Sequence, residues 1–152
     1  MAADGSSERT LPPRAPGARR CSLRAEHLAL AALADWCADL AARHQLSRES
    51  ANAVDLCLSE LVTNVIDYAY AEDGVSPILV DANHLDGVLE ITLWDAGPAF
   101  NPLEREAPAE NTDLATVRIG GLGIELVRKF TREVSYARVG DWNRLRFAPV
   151  GQ

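Results

Sequence analysis

Apolar residues recur at intervals of three and four through the first half of the chain and then switch to strict alternation. From Leu28 to His44 the positions Leu30, Leu33, Cys37 and Leu40 form one stripe, with Ala31, Ala34 and Ala41 beside it. That spacing, in an alanine-rich segment, predicts an amphipathic helix. Ser47 then precedes a second helical pattern, with Val54, Leu58, Leu61, Val65 and Ala69 on one face and Gly74 and Pro77 as its stop. Ile78 to His84 reads as a strand, Asp86-Gly87 as a tight hairpin turn, and Val88 to Trp94 as the returning strand. Residues 101–119 hold two prolines, mixed charge and little periodicity, which reads as a long loop of the kind that forms lids. A helix from about Leu122 to Phe130 follows, then strands from Glu133 to Val139 and from Asn143 to Phe147, joined around Gly140-Asp141, with an additional strand expected at Arg20–Arg24.

Hairpin-linked strands interleaved with helices predict an α+β fold: a two-layer sandwich whose mixed or antiparallel sheet carries its helices on one face. At 152 residues the chain fits a single domain. Its opening, with Pro12, Pro13, Pro16 and Gly5-Ser6-Ser7, is too polar and proline-rich to contribute to a core, so residues 1–19 are expected to be a flexible tail and 20–152 the folded domain.

Charge narrows the partners. The formal net charge is -7, and it is uneven: the first 24 residues carry +3 from five arginines against Asp4 and Glu8, leaving -10 for the rest. An acidic body argues against direct nucleic-acid binding, where phosphate contacts dominate. Neither a secretory h-region nor a membrane-length apolar run is present, so the expected location is the cytoplasm, away from any membrane. Cys21, Cys37 and Cys57, and His27, His44 and His84, are scattered without metal-ligand spacing; reduced core thiols are the expectation for the cysteines.

Three segments concentrate the candidate chemistry. Glu60, Asn64 and Asp67 fall on one side of the second helix, away from its apolar stripe. A solvated polar face would look the same. Asp95 follows the apolar Leu93-Trp94, where a carboxylate can accept a hydrogen bond from an exocyclic amine, and Gly97 would let a flat base approach the backbone. An ordinary turn also explains Asp-Ala-Gly-Pro. Gly120, Gly121 and Gly123 lead into a helix whose first N–H groups attract phosphate, although the spacing matches no Walker loop and a flexible hinge is equally simple.

Taken together and in order, S-E-L-V-T-N-V-I-D-Y-A-Y, D-A-G-P-A-F-N-P and G-G-L-G-I-E-L-V resemble the N box and two glycine boxes of GHKL-type ATP-binding domains. Their surroundings, over roughly residues 20–148, resemble the serine-kinase anti-sigma factors of bacteria, with Val134-Ser135-Tyr136 through Gly140 and Asn143 similar to that group's closing hairpin. The resemblance implies that Asn64 helps ligate Mg²⁺, that Asp95 holds the adenine amine of ATP, and that Gly97 makes room for the base. Gly121, Leu122 and Gly123 would sit at the triphosphate, with 103–119 as the lid. Glu60 would be the general base toward a serine on a STAS-domain anti-anti-sigma partner, in a protein that also holds a sigma factor and is usually a homodimer. Two departures stand out: Tyr68 replaces a frequent histidine, and Arg144-Leu145-Arg146 stands where a threonine or serine near the base is common. A sensor histidine kinase would further need a phosphoacceptor helix, and no acidic residue follows His27 or His44. A non-catalytic ATP-binding adaptor that only sequesters a regulator is the competing reading, and Glu60 discriminates against it because an adaptor needs no base.

Overall fold

The computed structural model describes residues 9–69, 76–104 and 120–152. Five strands, β1 (Arg19–Arg24), β2 (Pro77–Leu85), β3 (Val88–Asp95), β4 (Thr131–Val139) and β5 (Trp142–Pro149), form one sheet in the order β1-β2-β3-β5-β4, antiparallel at every pairing. Helices α1 (Ala29–Arg43), α2 (Arg48–Asn64) and α3 (Gly120–Phe130) pack on one face of it. The architecture is the expected α+β sandwich.

Alternation decides which side chains meet the helices. Ile78, Val80 and Ala82 of β2, Leu89, Ile91 and Leu93 of β3, and Leu145 and Phe147 of β5 join Leu33 and Leu40 of α1, Val54, Leu58, Leu61 and Val62 of α2, and Val127 of α3 in one core. Each of these side chains larger than alanine contributes about 1.5–3 kcal/mol on removal from water. Cys37 and Cys57 lie within that core, where burial pushes their thiols up to about 12 and about 11. On the opposite face a smaller cluster gathers Leu79, Trp94 and Trp142. There Arg20 makes a two-point pair with Asp81, Nε to Oδ1 at 2.6 Å and Nη2 to Oδ2 at 2.7 Å, and the Trp94 indole N–H donates to the same Asp81 at 3.1 Å.

The element boundaries follow from local chemistry. Gln45 takes the left-handed conformation (φ 50°) that closes α1, and Leu46 N–H reaches back to the Ala41 carbonyl at 3.0 Å, a C-terminal lock formed without glycine. Ser47 caps α2 by accepting from Ser50 N–H at 3.0 Å. Asp86 and Gly87 both have positive φ, as a two-residue hairpin turn of this hand requires.

Three expectations need correction. The second helix does not run regularly to Ala69; its α-helical part ends at Asn64 and residues Val65–Ala69 form a π-helical turn, while 70–75 lie outside the described residues. The glycines expected to precede the third helix are its first turn, which begins at Gly120. Strand β4 starts at Thr131 and carries an irregularity between Arg132 and Ser135, where Glu133 has φ 55°. The segment expected as a tail lies outside the described residues up to 8. From Thr10 it is docked on the sheet: the Thr10 carbonyl accepts from the Trp142 indole and the Pro12 carbonyl from Arg20, each at 3.0 Å.

Candidate functional site

The last two turns of α2 and the first turn of α3 meet at Gly123. A Cβ built on Gly123 would stand 2.9 Å from Glu60 Oε2 and 3.4 Å from Asn64 Nδ2. Glu60 and Asn64, one helical turn apart, therefore share the same neighbour, and the lack of a Cβ at Gly123 is what lets the Glu60 carboxylate stand where it does. Gly121 and Leu122 lie in the same first turn of α3.

Asp95 arrives from the other layer. It continues the alternation of Leu89, Ile91 and Leu93, so it points to the helix side at the end of β3, with 9% of its surface exposed. Its Oδ1 accepts from Gly97 N–H at 3.0 Å and from Asn143 Nδ2 at 2.9 Å. Burial raises the Asp95 carboxyl above its ordinary value; the hydrogen bonds from Asn143 and Gly97 and the charge of Arg138 act in the opposite direction.

Between these two groups lies a cleft of about 280 Å³, close to the lower end of the roughly 300–1,000 Å³ usual for small-molecule sites. Leu61, Val65, Ile124 and Leu145 give it apolar walls; Asn64, Asp95 and Asn143 supply the polar groups; Tyr68 and Phe100 stand half-exposed at the rim. An apolar slot with one buried carboxylate suits a flat heteroaromatic ring bearing an amine. Asn64 and Asp95, from separate layers, thus line one cleft, and Gly97 lies in the loop that holds Asp95.

From the sequence, Asn143 enters only as part of the closing hairpin, with no role at the site, and the polar group near the base is sought at 144–146. Arg144 lies over the Trp94 ring on the far face, Arg146 sits 3.3 Å from Glu90, and Leu145 is a wall of the cleft. The available signal was register: Asn143 continues the inward alternation of Leu145 and Phe147, and a polar residue in that phase is buried facing the site.

The family model described as "Histidine kinase-like ATPase domain" matches residues 22–148. The chain belongs to that family. Among curated relatives, the serine/threonine-protein kinase BtrW of Bordetella bronchiseptica is 26% identical over 110 residues, covering 72% of this chain and 78% of the relative. The serine-protein kinase RsbW of Listeria innocua is 28% identical over 99 residues, 62% of this chain and 63% of that protein. Among solved structures, the RsbU and RsbW domains of Rv1364c from Mycobacterium tuberculosis match with a TM-score of 0.63 at 15% identity, over 87% of this chain and 32% of that one. The fold is thus shared with this histidine kinase-like group, including a chain with an RsbW domain.

In this family setting, the expected lid at 103–119 lies outside the described residues from 105 onward. Its first residues form a short turn, Pro102–Glu104, and Arg128 of α3 donates to the Leu103 carbonyl at 2.6 Å. Among the described residues no three His, Cys, Asp or Glu side chains are grouped to hold a metal ion. A divalent cation with the donor set available here, the Asn64 amide oxygen with Glu60 beside it, would be held largely by phosphate oxygens and water, as is usual for Mg²⁺. The residues fit that arrangement. No helix among the described residues is long and apolar enough to cross a membrane.

Proposed function

We propose that the chain is an ATP-dependent serine-protein kinase that phosphorylates a STAS-domain anti-anti-sigma partner and sequesters a sigma factor or comparable regulator, acting as a homodimer in the cytoplasm. The observation that carries this reading is the meeting of a carboxylate, an amide and a glycine helix start at Glu60, Asn64 and Gly123, beside a cleft ending in buried Asp95. Similarity to BtrW and RsbW supports the reaction class.

Each residue has a distinct task in this reading. Asp95 accepts the exocyclic amine of adenine, with Gly97 and the apolar walls leaving room for the ring. The first turn of α3, Gly121 to Gly123, offers backbone N–H groups toward the triphosphate. Asn64 would contribute an oxygen to a Mg²⁺ ion, which would offset the negative charge gathering on the phosphates. Glu60 takes the proton from the partner's serine as its Oγ bonds to the γ-phosphorus and the bond to the β,γ-bridging oxygen breaks, releasing ADP.

Incubating the protein with labelled ATP, Mg²⁺ and STAS-domain candidates from the same genome is the direct test, with phosphoserine mapped by mass spectrometry. Transfer to one candidate is expected, and Glu60→Gln should abolish nearly all of it while leaving ATP affinity almost unchanged, since a general base supplies about 10²–10⁴-fold in rate. ATP-dependent capture of a regulator with no transfer in either form would favour the adaptor reading.

A further inference from the structure

Asn143 sits at the start of β5, 5% exposed and directly opposite Asp95 in the β3–β5 register. Its side chain has partners at both ends. Nδ2 donates to Asp95 Oδ1 at 2.9 Å and to the Pro98 carbonyl at 2.9 Å. Oδ1 accepts from Tyr136 Oη at 2.7 Å, Arg138 Nη1 at 3.1 Å and Phe100 N–H at 3.3 Å. The orientation of the amide follows from this environment: one end faces acceptor oxygens and the other faces donors, so a flipped amide would oppose like groups at both ends.

Arg138 braces the same assembly from β4. Its Nη1 also donates to the Gly97 carbonyl at 2.8 Å, and its Nε to the Gly140 carbonyl at 3.1 Å. One amide and one guanidinium therefore connect the end of β3, the loop from Gly97 to Phe100 and both strands of the closing hairpin. The hydrogen bonds to Asp95 from Asn143 and Gly97 both fall on Oδ1.

We infer that Asn143 and Arg138 are positioning residues for Asp95: the Asn143 amide fixes the carboxylate's orientation, and the Arg138 guanidinium holds that amide from behind. This rests on the reading of Asp95 as the group that accepts the adenine amine. Arg138 opposes the effect of burial on Asp95, as do the Asn143 and Gly97 hydrogen bonds. Among the described residues, the other titratable groups around the cleft are Tyr136 of β4, Glu60 of α2 and Tyr68 of the π-helical turn.

The test titrates ATP by calorimetry across pH for wild type, Asp95→Asn, Asn143→Asp and Arg138→Met, with melting curves for each. Asn143→Asp presents a second carboxylate to Asp95 and should weaken ATP binding roughly ten- to a hundredfold, the equivalent of one hydrogen bond to a charged group. Arg138→Met keeps an aliphatic stem without the charge, so the pH at which ATP affinity falls on acidification should move upward, a shift that a merely structural bracket would not produce. Wild-type affinity and an unmoved acid limb in both variants, with affinity lost in Asp95→Asn, would overturn the positioning role and leave the nucleotide site standing. Unchanged affinity in Asp95→Asn would overturn the nucleotide reading and this inference with it. If Asn143→Asp fails to fold, the pH profile of Arg138→Met decides alone.

Discussion

Alanine at position 123 separates stability from catalysis. Gly123 lies in α3 with no positive φ, so alanine fits the backbone there and should gain up to about 1 kcal/mol of helix propensity. Against this stands the new Cβ, 2.9 Å from Glu60 Oε2 and 3.4 Å from both Glu60 Cβ and Asn64 Nδ2. The two longer distances need only a slight adjustment of their neighbours. The shortest one must open, and it faces the end of a flexible side chain, so the carboxylate swings away and little folding energy is lost. The predicted melting temperature is unchanged or higher by roughly 2–4 °C, the scale for 1 kcal/mol in a chain of this size. Phosphoryl transfer should suffer, because a catalytic group displaced by about 1 Å forfeits on the order of 10²-fold in rate. Thermal unfolding followed by circular dichroism, with initial rates from labelled ATP, measures both. Transfer at the wild-type rate by a folded Gly123→Ala protein would refute the argument that the Glu60 carboxylate must stay where Gly123 admits it. A melting temperature lowered by several degrees would show that α3 cannot absorb the Cβ by moving that carboxylate.

The other predictions concern charge. Asp95→Asn should weaken ATP binding by about 1.5–3 kcal/mol in calorimetry, since it removes a charged hydrogen-bond acceptor. Because burial raises the Asp95 carboxyl in the folded state, the stability it contributes is full below the unfolded value near 3.8 and is lost as pH rises through the folded one. The unliganded Asp95→Asn protein should therefore show a flatter rise of stability on acidification, read from urea unfolding at several pH values. His44 behaves with the opposite slope: burial first, then His84, Arg19 and Arg43, lower its value from 6.5, so its contribution is present above about 6.5 and lost as pH falls through the folded value. His84→Gln removes one of those repulsions and should reduce the loss of stability between about pH 7 and 5, whereas an unchanged slope would show that the stacked pair, 5.0 Å between centroids, is uncoupled. On the far face, Asp81→Ala leaves Arg20 and the Trp94 indole without their shared acceptor and should cost about 3 kcal/mol in chemical unfolding, with a changed tryptophan emission; a loss under 1 kcal/mol would place the pair among weak surface bridges.

What the sequence made legible was periodic. Repeats of three and four located α1 and most of α2, alternation located the β2–β3 hairpin, and Asp86-Gly87 marked its turn because few other dipeptides accept two positive φ angles. Glu60 and Asn64 could be read as a pair because i and i+4 lie on one helical face whatever surrounds them. The segment after Asn64 was harder: apolar Val65 and Ile66 continue the pattern, yet they open the π-helical turn, which changes the hydrogen-bond spacing without changing residue types. Docking of the chain from Thr10 was hidden for a related reason, since its contacts use the Thr10 and Pro12 carbonyls, which every residue possesses.

Asn143 shows where a one-dimensional reading stops. Its partners lie seven residues away at Tyr136, 43 away at Phe100 and 48 away at Asp95, so no local window contains them. Strand register brings them together, and register depends on turn geometry and on which face is buried. Given the core alternation of Leu145 and Phe147, however, an asparagine in the same phase must be buried. A buried amide left without partners costs about 1–3 kcal/mol, which makes it costly unless nearby groups meet both its ends. Here those groups are a carboxylate that faces the cleft and a guanidinium that does not. A polar residue in a strand's inward phase, two positions beyond a hairpin turn, thus marks the place to look for the group it serves on the strand beside it.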